Sequence, residues 1–340
     1  MAAFKLTSSI WQFMEFKKVQ CVKGSFYIYL PKNWCRKFVT AEQKEIIMKQ
    51  LDDESLLILP RDRKVEAQKE LHVAIKDTYS LEFILNKVLT AYIIGASRIM
   101  VEMEDKGKIP LDFQTQISQL TKGLLGFSII EQDASHIEIR DLSQSNEIKA
   151  TMKQMLSKVH LVFENLLDIL TKPNDDLTHQ LQMLIAQDDI TDEYRYQIDR
   201  QTHLLLQNPS LSRQMEVSSI ECLHFAQSAR SLERIADHLG DIAKEVIKIY
   251  ERVHEVPREV ITLLQNALDY YNAVMDHFYR STAVEMHKKL VDMSRIVRQI
   301  PLTPTTLQEE EIYLHLDRIL HHCADILEIR INSAVFRQLL

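Results

Sequence analysis

Three carboxylates recur at a spacing of four residues in the stretch LERIADHLGDIAKEV, at Glu233, Asp237 and Asp241. If this stretch is helical, side chains four residues apart lie one turn above each other on the same face. Like charges at that spacing repel by about 0.2–0.5 kcal/mol per pair. The face is therefore either screened by water and basic side chains or neutralised by a bound cation.

A second group of carboxylates precedes the first in the stretch QDDITDEYRYQID, where Asp188 and Asp192 are four residues apart and Asp199 follows. If the two predicted helices pack antiparallel, Asp188 and Asp192 face Glu233 and Asp237. Burying such carboxylates unpaired would cost on the order of several kcal/mol each, so a metal ion would supply the missing positive charge. Oxygen ligands of this kind suit Mg²⁺, Mn²⁺ or Ca²⁺.

Basic side chains offer an alternative to a metal ion, because several lie close to these carboxylates in the sequence. On a solvated helix face they would form surface ion pairs, which contribute little to stability. The basic residues concerned are Arg195, Arg200, Arg230, Arg234 and Lys244.

The carboxylate motif recurs 84 residues later, where LDRILHHCADI repeats the pattern of LERIADHLGDI. Asp317 takes the place of Glu233, and His321 takes the place of Asp237. An imidazole ligand would favour Zn or Fe. The sequence thus predicts metal ligands in both copies, namely Asp188, Asp192, Glu233, Asp237, Asp241, Asp317, His321 and Asp325.

A di-iron enzyme is excluded by the spacing of the two Glu-x-x-His strings, Glu221 to His224 and Glu251 to His254. The strings lie 30 residues apart on one predicted helix, which separates them by about 45 Å at 1.5 Å per residue. They cannot converge on one metal pair within one chain. Without a nucleophile–base pair or a glycine-rich loop in the sequence, we expect no enzymatic activity.

From Glu147 onward the hydrophobic pattern and the positions of proline and glycine predict six helices. They form two sets of three, which agrees with the internal repeat. The predicted ranges are 147–171, 175–206, 211–253, 258–280, 282–299 and 305–338. We therefore predict two three-helix bundles, at 147–256 and 257–340.

Two smaller domains are predicted ahead of the helices. Residues 65–146 have the order β-α-β-α-β-β, with Ser80 as a candidate N-cap, and predict a small α/β domain. Residues 1–64 predict strands around one short helix that follows Pro31. So short a β-rich domain has little core of its own, and we expect it to pair with a second copy of the chain.

Charge is unevenly distributed along the 340 residues. Residues 1–64 hold 12 lysines and arginines against 7 acidic residues, whereas residues 151–340 hold 20 against 28. The basic N-terminal segment, or basic head, favours an anionic partner, and the acidic C-terminal half, or acidic body, favours cations. Four cysteines without C-x-x-C pairing and no apolar run of membrane-spanning length predict a cytoplasmic protein with reduced thiols and no membrane insertion.

Residues 147–338 resemble the PhoU family of phosphate-homeostasis regulators. The resemblance rests on LERIADH at 232–238 and on the Asp188-x-x-x-Asp192 motif of the preceding predicted helix. In the second copy, His321 replaces the aspartate that the family pattern has. The resemblance implies a non-enzymatic regulator that contacts a phosphate transporter or a sensor kinase.

Residues 1–64 resemble the SpoVT/AbrB DNA-binding fold, through VKGSFYIYLPKNWCRKF and the closing strand SLLILP. This resemblance implies a swapped-hairpin dimer with interleaved strands and basic residues presented to DNA. The implied contacts are Lys17, Lys18, Lys23, Lys32, Arg36 and Lys37. An AbrB-like module joined to a PhoU-like body resembles PhoU-domain regulators of archaeal type.

Two functions follow as hypotheses from the sequence. The first is a dimeric transcriptional regulator of phosphate uptake, which binds DNA through its basic head and a metal ion (Mg, Mn, Zn or Fe) through its acidic bundle. The metal would in turn offer positive charge to inorganic phosphate. The alternative is a protein-interaction adaptor that acts on a transporter or a sensor kinase without binding DNA.

Overall fold

The computed structural model describes residues 17–39, 44–50, 54–61, 69–105, 107–143, 147–172, 176–186, 189–280, 282–297 and 306–339. The chain divides into two compact units, Met1–Ala67 and Gln68–Leu340. Within the described ranges, none of the helices is both long and apolar enough to span a bilayer.

The first unit contains two separate hairpins on either side of one helix. Strand β1 (Gln20–Val22) pairs antiparallel with β2 (Ser25–Tyr27), and β3 (Ile46–Gln50) pairs antiparallel with β4 (Leu56–Pro60). Helix α1 (Lys32–Phe38) lies between them in the sequence. This is the predicted order of strands and helix. The chain reverses at Lys23 and Gly24, which both have positive φ, 50° and 83°, as a tight hairpin turn requires.

Hydrophobic side chains of the first unit are largely exposed. Phe26 is 77% exposed, Tyr29 69% and Met48 64%, whereas Leu59 is the one buried hydrophobic side chain among the described residues of this unit. Two-stranded hairpins are marginally stable in water without a hydrophobic partner. The described residues of this unit therefore bury little apolar surface among themselves.

The second unit begins with a four-stranded sheet and two helices. Their order along the chain is β5 (Glu70–Ile75), α2 (Leu81–Ile93), β6 (Arg98–Met103), α3 (Leu111–Lys122), β7 (Phe127–Gln132) and β8 (His136–Asp141). The sheet has the strand order β5-β6-β8-β7, with β5 and β6 parallel and the other neighbours antiparallel. The predicted order of elements is confirmed, and the Ser80 side chain caps α2 by accepting a hydrogen bond from the Phe83 amide at 3.3 Å.

In the ranges that the structure describes, eight helices follow the sheet. They are α4 (Ile148–Thr171), α5 (Leu177–Ile185), α6 (Asp189–Gln207), α7 (Pro209–Gln214), α8 (Ser219–Val253), α9 (Arg258–Arg280), α10 (Ala283–Val297) and α11 (Leu307–Leu339).

Two of the predicted helices are divided in the structure. The prediction of one helix over 175–206 is wrong, because α5 and α6 are separate. The prediction over 211–253 is wrong at its start, because α8 begins anew at Ser219 after the short α7. A capping box fixes that start: Ser218 Oγ accepts from the Glu221 amide at 3.2 Å, and the Glu221 carboxylate accepts from the Ser218 amide at 3.0 Å.

One hydrophobic core joins the two predicted sets of helices. Phe163 and Leu239 from the first set and Tyr271 and Ile319 from the second belong to the same buried cluster. The Tyr271 hydroxyl also donates to the Leu156 carbonyl at 2.7 Å, so the sets are bonded as well as packed. The predicted domain boundaries after residues 64, 146 and 256 stay predictions.

A buried arginine connects the helices to the sheet. Arg200 of α6 is 5% exposed, and its guanidinium donates to the Tyr92 carbonyl and to the Asp141 carboxylate, both at 2.6 Å. The same group lies over the rings of Tyr92 and Phe127, at 5.0 and 4.7 Å from their centroids. Two hydrogen bonds and two cation–π contacts therefore hold α6 against the α/β layer.

Candidate metal centre

Helix α8 carries the predicted row of carboxylates, and two other helices pack beside it. Helix α6 brings Asp192 towards Glu233 and Asp237, and α11 brings His315 towards Asp241. Carboxylates of α6 were predicted to approach those of α8 if the two predicted helices pack antiparallel. The predicted partner Asp188 lies outside the described residues.

Arg195 lies among three of the carboxylates. Its Nε is 3.4 Å from Asp192 Oδ1 and 3.5 Å from Glu233 Oε1. Its NH1 is 3.5 Å from an oxygen of Asp199, which is 7% exposed. The arginine thus supplies part of the positive charge that these carboxylates need. From the sequence, that charge could come from basic side chains or from a metal ion.

The carboxylates keep an excess of negative charge despite this arginine. Partial burial, followed by the charge of Asp237, raises the pKa of Glu233. The carboxylate of Asp237 loses part of its hydration although the residue as a whole is exposed, and this loss, with Asp192 and Asp241, raises its pKa. Raised carboxyl pKa values mean that the ionised forms are disfavoured here, so a further cation at this position would be stabilised.

Asp241 faces a different set of groups from the other members of its row. Its Oδ1 accepts from Lys244 Nζ at 2.8 Å, and its Oδ2 is 3.9 Å from His315 Nδ1 on α11. His238, three residues before Asp241, has its Nδ1 3.1 Å from His315 Nδ1. Burial and the neighbouring His315 and His322 lower the pKa of His238 to about 4, so its imidazole is neutral at pH 7.

Among the described His, Cys, Asp and Glu residues, one trio has potential ligand atoms within 4.8 Å of one another: His238, Asp241 and His315. Neither histidine was among the ligands predicted from the sequence. His238 was detectable, because it precedes Asp241 by three residues and so lies on an adjoining helix face. The spacing gave no signal for His315, because its helix lies more than seventy residues further along the chain.

The predicted ligands of the second copy lie on an exposed surface of α11. His321 is 3.3 Å from the Asp317 carboxylate, and Asp325 is 3.3 Å from His322. The side chains of His321 and Asp325 are 62% and 56% exposed. In the part of the chain that the structure describes, these residues meet no third ligand within 4.8 Å.

The predicted DNA contacts are all at the surface of the first unit. Lys17 and Lys18 precede β1, Lys23 is in the hairpin turn, and the others belong to α1. The exposed basic residues are Lys17, Lys18, Lys23, Lys32, Arg36 and Lys37.

The carboxylates of α6 and α8 lie in a segment that matches a known protein domain family. Residues 152–246 match the PhoU domain family. The PhoU resemblance predicted from the LERIADH motif is thereby confirmed for this segment, which contains Asp192, Glu233, Asp237 and Asp241. The matched PhoU segment ends within α8, so it spans the first of the two predicted copies and not the second.

Solved structures and curated proteins were compared as well. The chain is similar to the crystal structure of the phosphate transport system regulatory protein PhoU from Streptococcus pneumoniae, with 16% identity and a TM-score of 0.46. The alignment covers 57% of this chain and 96% of that one. The comparison with curated proteins found no match.

Proposed function

We propose that the protein is a PhoU-type regulator of phosphate uptake and homeostasis, of the kind that joins an AbrB-like DNA-binding module to a metal-binding helical body. The observation that carries this proposal is the PhoU match over residues 152–246, which contains the carboxylates that α6 and α8 bring together. The regulator binds promoter DNA through its first unit and responds to phosphate status through its helices.

The carboxylate cluster of Asp192, Glu233 and Asp237 has the donor chemistry of a divalent cation site. All three side chains are carboxyl groups that can offer oxygen ligands, and Arg195 supplies one positive charge beside them and Asp199. Mg²⁺ and Mn²⁺ suit such oxygen donors, whereas Zn and Fe prefer sites with nitrogen ligands. A bound cation would give this acidic body the positive charge that it needs to attract inorganic phosphate.

Removing two of these carboxylates is expected to abolish metal binding at the cluster. We expect D192N/D237N to lose the Mn²⁺ that the wild-type chain binds, as measured by calorimetric titration after chelator treatment. The exposed Asp269 on α9 offers a control, and D269N should bind Mn²⁺ as the wild type does. Equal Mn²⁺ binding by D192N/D237N and the wild type would remove the cluster from the proposal.

The same substitutions are expected to raise the stability of the metal-free chain at pH 7. Glu233 and Asp237 have raised pKa values in the folded state, so their contribution to stability is present below the unfolded pKa and is lost as pH rises through the folded pKa. Asn at 237 removes this loss. Thermal melts of metal-free protein at pH 3 and pH 7 should show the gain at the higher pH alone.

Exposed apolar residues of the first unit support a homodimer. Phe26 and Met48 belong to different hairpins, and a second copy would cover them as the AbrB resemblance implies. We expect F26K to convert a dimer into a monomer in light scattering. Leu111 on α3 is also 77% exposed, as Phe26 is, and L111K should leave the mass unchanged. A dimer that persists in F26K would contradict pairing through these hairpins.

DNA binding separates this function from that of an adaptor. The full-length chain should shift promoter DNA in a gel titration at low salt, because its exposed basic residues contact phosphates. If the chain shifts no DNA at low salt, the adaptor function replaces the transcriptional one, with a phosphate transporter or a sensor kinase as the partner.

A further inference from the structure

Helices α8 and α11 pack side by side and run antiparallel. Arg252 bonds to Gln308, Asp241 approaches His315, and His238 stacks on His322, so residue numbers fall on one helix as they rise on the other. The two helices belong to different predicted copies of the repeat. A group held between them would join those copies.

We propose that His238, Asp241 and His315 form a binding site for a divalent transition-metal ion of the Zn²⁺ class. The site faces α11, whereas the carboxylate cluster of Asp192, Glu233 and Asp237 faces α6. It goes beyond the regulatory function proposed above, because it depends neither on DNA binding nor on phosphate.

The separations between the ligand atoms match a tetrahedral site. Ligands at the usual 2.0–2.2 Å from Zn²⁺ lie about 3.4 Å from one another in tetrahedral geometry. His238 Nδ1 and His315 Nδ1 are 3.1 Å apart, and His315 Nδ1 is 3.9 Å from Asp241 Oδ2. These two distances lie on either side of the tetrahedral value, and the three ligand atoms all lie within 4.8 Å of one another. Side-chain shifts of less than about 1.5 Å would therefore bring all three to the tetrahedral spacing.

The donor set selects the class of metal. Two imidazole nitrogens favour Zn²⁺, Co²⁺, Fe²⁺ or Ni²⁺, whereas Mg²⁺ and Ca²⁺ prefer oxygen donors. Lys244 bonds to Asp241 Oδ1, which leaves Oδ2 directed towards His315. Three protein ligands leave a fourth position on Zn²⁺ for water or an anion, as in open zinc sites.

The internal repeat explains why one such site forms instead of two. At the offset of 84 residues, His238 corresponds to His322 and Asp241 to Asp325, and these two also lie 3.3 Å apart. His315 corresponds to Ser231, which has no imidazole. The second copy therefore has two of the three ligands. His287 on α10 is a matched control, because it is the same residue type, is exposed and lies outside the ligand set.

The test is a Zn²⁺ and Co²⁺ titration of the full-length chain after chelator treatment. We expect one equivalent to bind, and we expect H238Q and H315Q each to weaken binding by more than about 100-fold, since loss of an outer partner alone costs 10–100-fold. H287Q should bind as the wild type does. Equal Zn²⁺ affinity in H315Q and the wild type would overturn the site.

X-ray absorption of the Zn²⁺-loaded wild-type chain tests the site even if the variants fail to fold. Two imidazole nitrogens at about 2.0 Å support the site, and a shell of oxygen atoms alone overturns it. The carboxylate cluster contains no imidazole among its three members. The Mn²⁺ titration of D192N/D237N therefore tests that cluster independently of this result.

Discussion

Replacing Arg200 with leucine is expected to lower the free energy of unfolding by about 3–5 kcal/mol, the usual cost of breaking a buried ion pair from one side. Arg200 and the Asp141 side chain are 5% and 20% exposed, so water restores little of the lost interaction. The substitution also leaves the Tyr92 carbonyl without the guanidinium that bonds to it. Urea unfolding, followed by circular dichroism, measures the change.

A double substitution identifies the cause of this loss. In R200L/D141N, the amide of residue 141 carries no charge that needs the arginine, while its oxygen can still accept from Ser143, as Asp141 does now at 2.9 Å. The double variant should therefore be more stable than R200L alone. Arg234 on α8 is exposed, and R234L should change stability by less than about 0.5 kcal/mol. A stability of R200L equal to that of R234L would contradict the role assigned to Arg200.

Neutralising three basic residues of α1 is expected to reduce DNA affinity by a factor on the order of 10²–10³ for each chain that contacts the DNA, at 0.1 M salt. Each phosphate contact contributes about 0.9 to the slope of log affinity against log salt concentration, so the loss of three should lower that slope by about 2.7 per chain. The triple variant is K32Q/R36Q/K37Q, and all three residues are exposed. Fluorescence anisotropy over a range of salt concentrations gives both quantities.

A charge-matched control separates phosphate contact from a change in net charge. Lys153, Lys288 and Lys289 are exposed in the second unit, and K153Q/K288Q/K289Q removes the same number of positive charges. Its salt slope should equal that of the wild type. If both triple variants lose affinity equally, the basic residues of α1 have no special part in DNA binding.

Much of the fold follows from local sequence patterns. The hairpin at Lys23 and Gly24 and the β-α-β-α-β-β order were predictable because turn residues and alternating hydrophobicity act over a few positions. Glu221 shows the limit of such patterns. It completes a Glu-x-x-His string in the sequence, but in the structure it caps the start of α8. The separation of α5 from α6 was missed because no proline or glycine lies between Leu177 and Gln207 to mark a helix end.

Some contacts of the candidate sites were predictable from the sequence, and others were not. Spacing placed Asp192 near Glu233 and Asp237, because helix periodicity and antiparallel packing were enough for that inference. The position of Arg195 among the carboxylates depends on side-chain geometry, which spacing leaves undetermined. The contact between His238 and His315 depends on how α8 crosses α11, and no local pattern encodes a contact across that separation.

The common core of the helices ties the stability of the two predicted copies together. Phe163, Leu239, Tyr271 and Ile319 pack in one cluster, so each copy supplies part of the apolar surface against which the other is buried. A substitution that opens a cavity in this cluster should therefore weaken both copies at once.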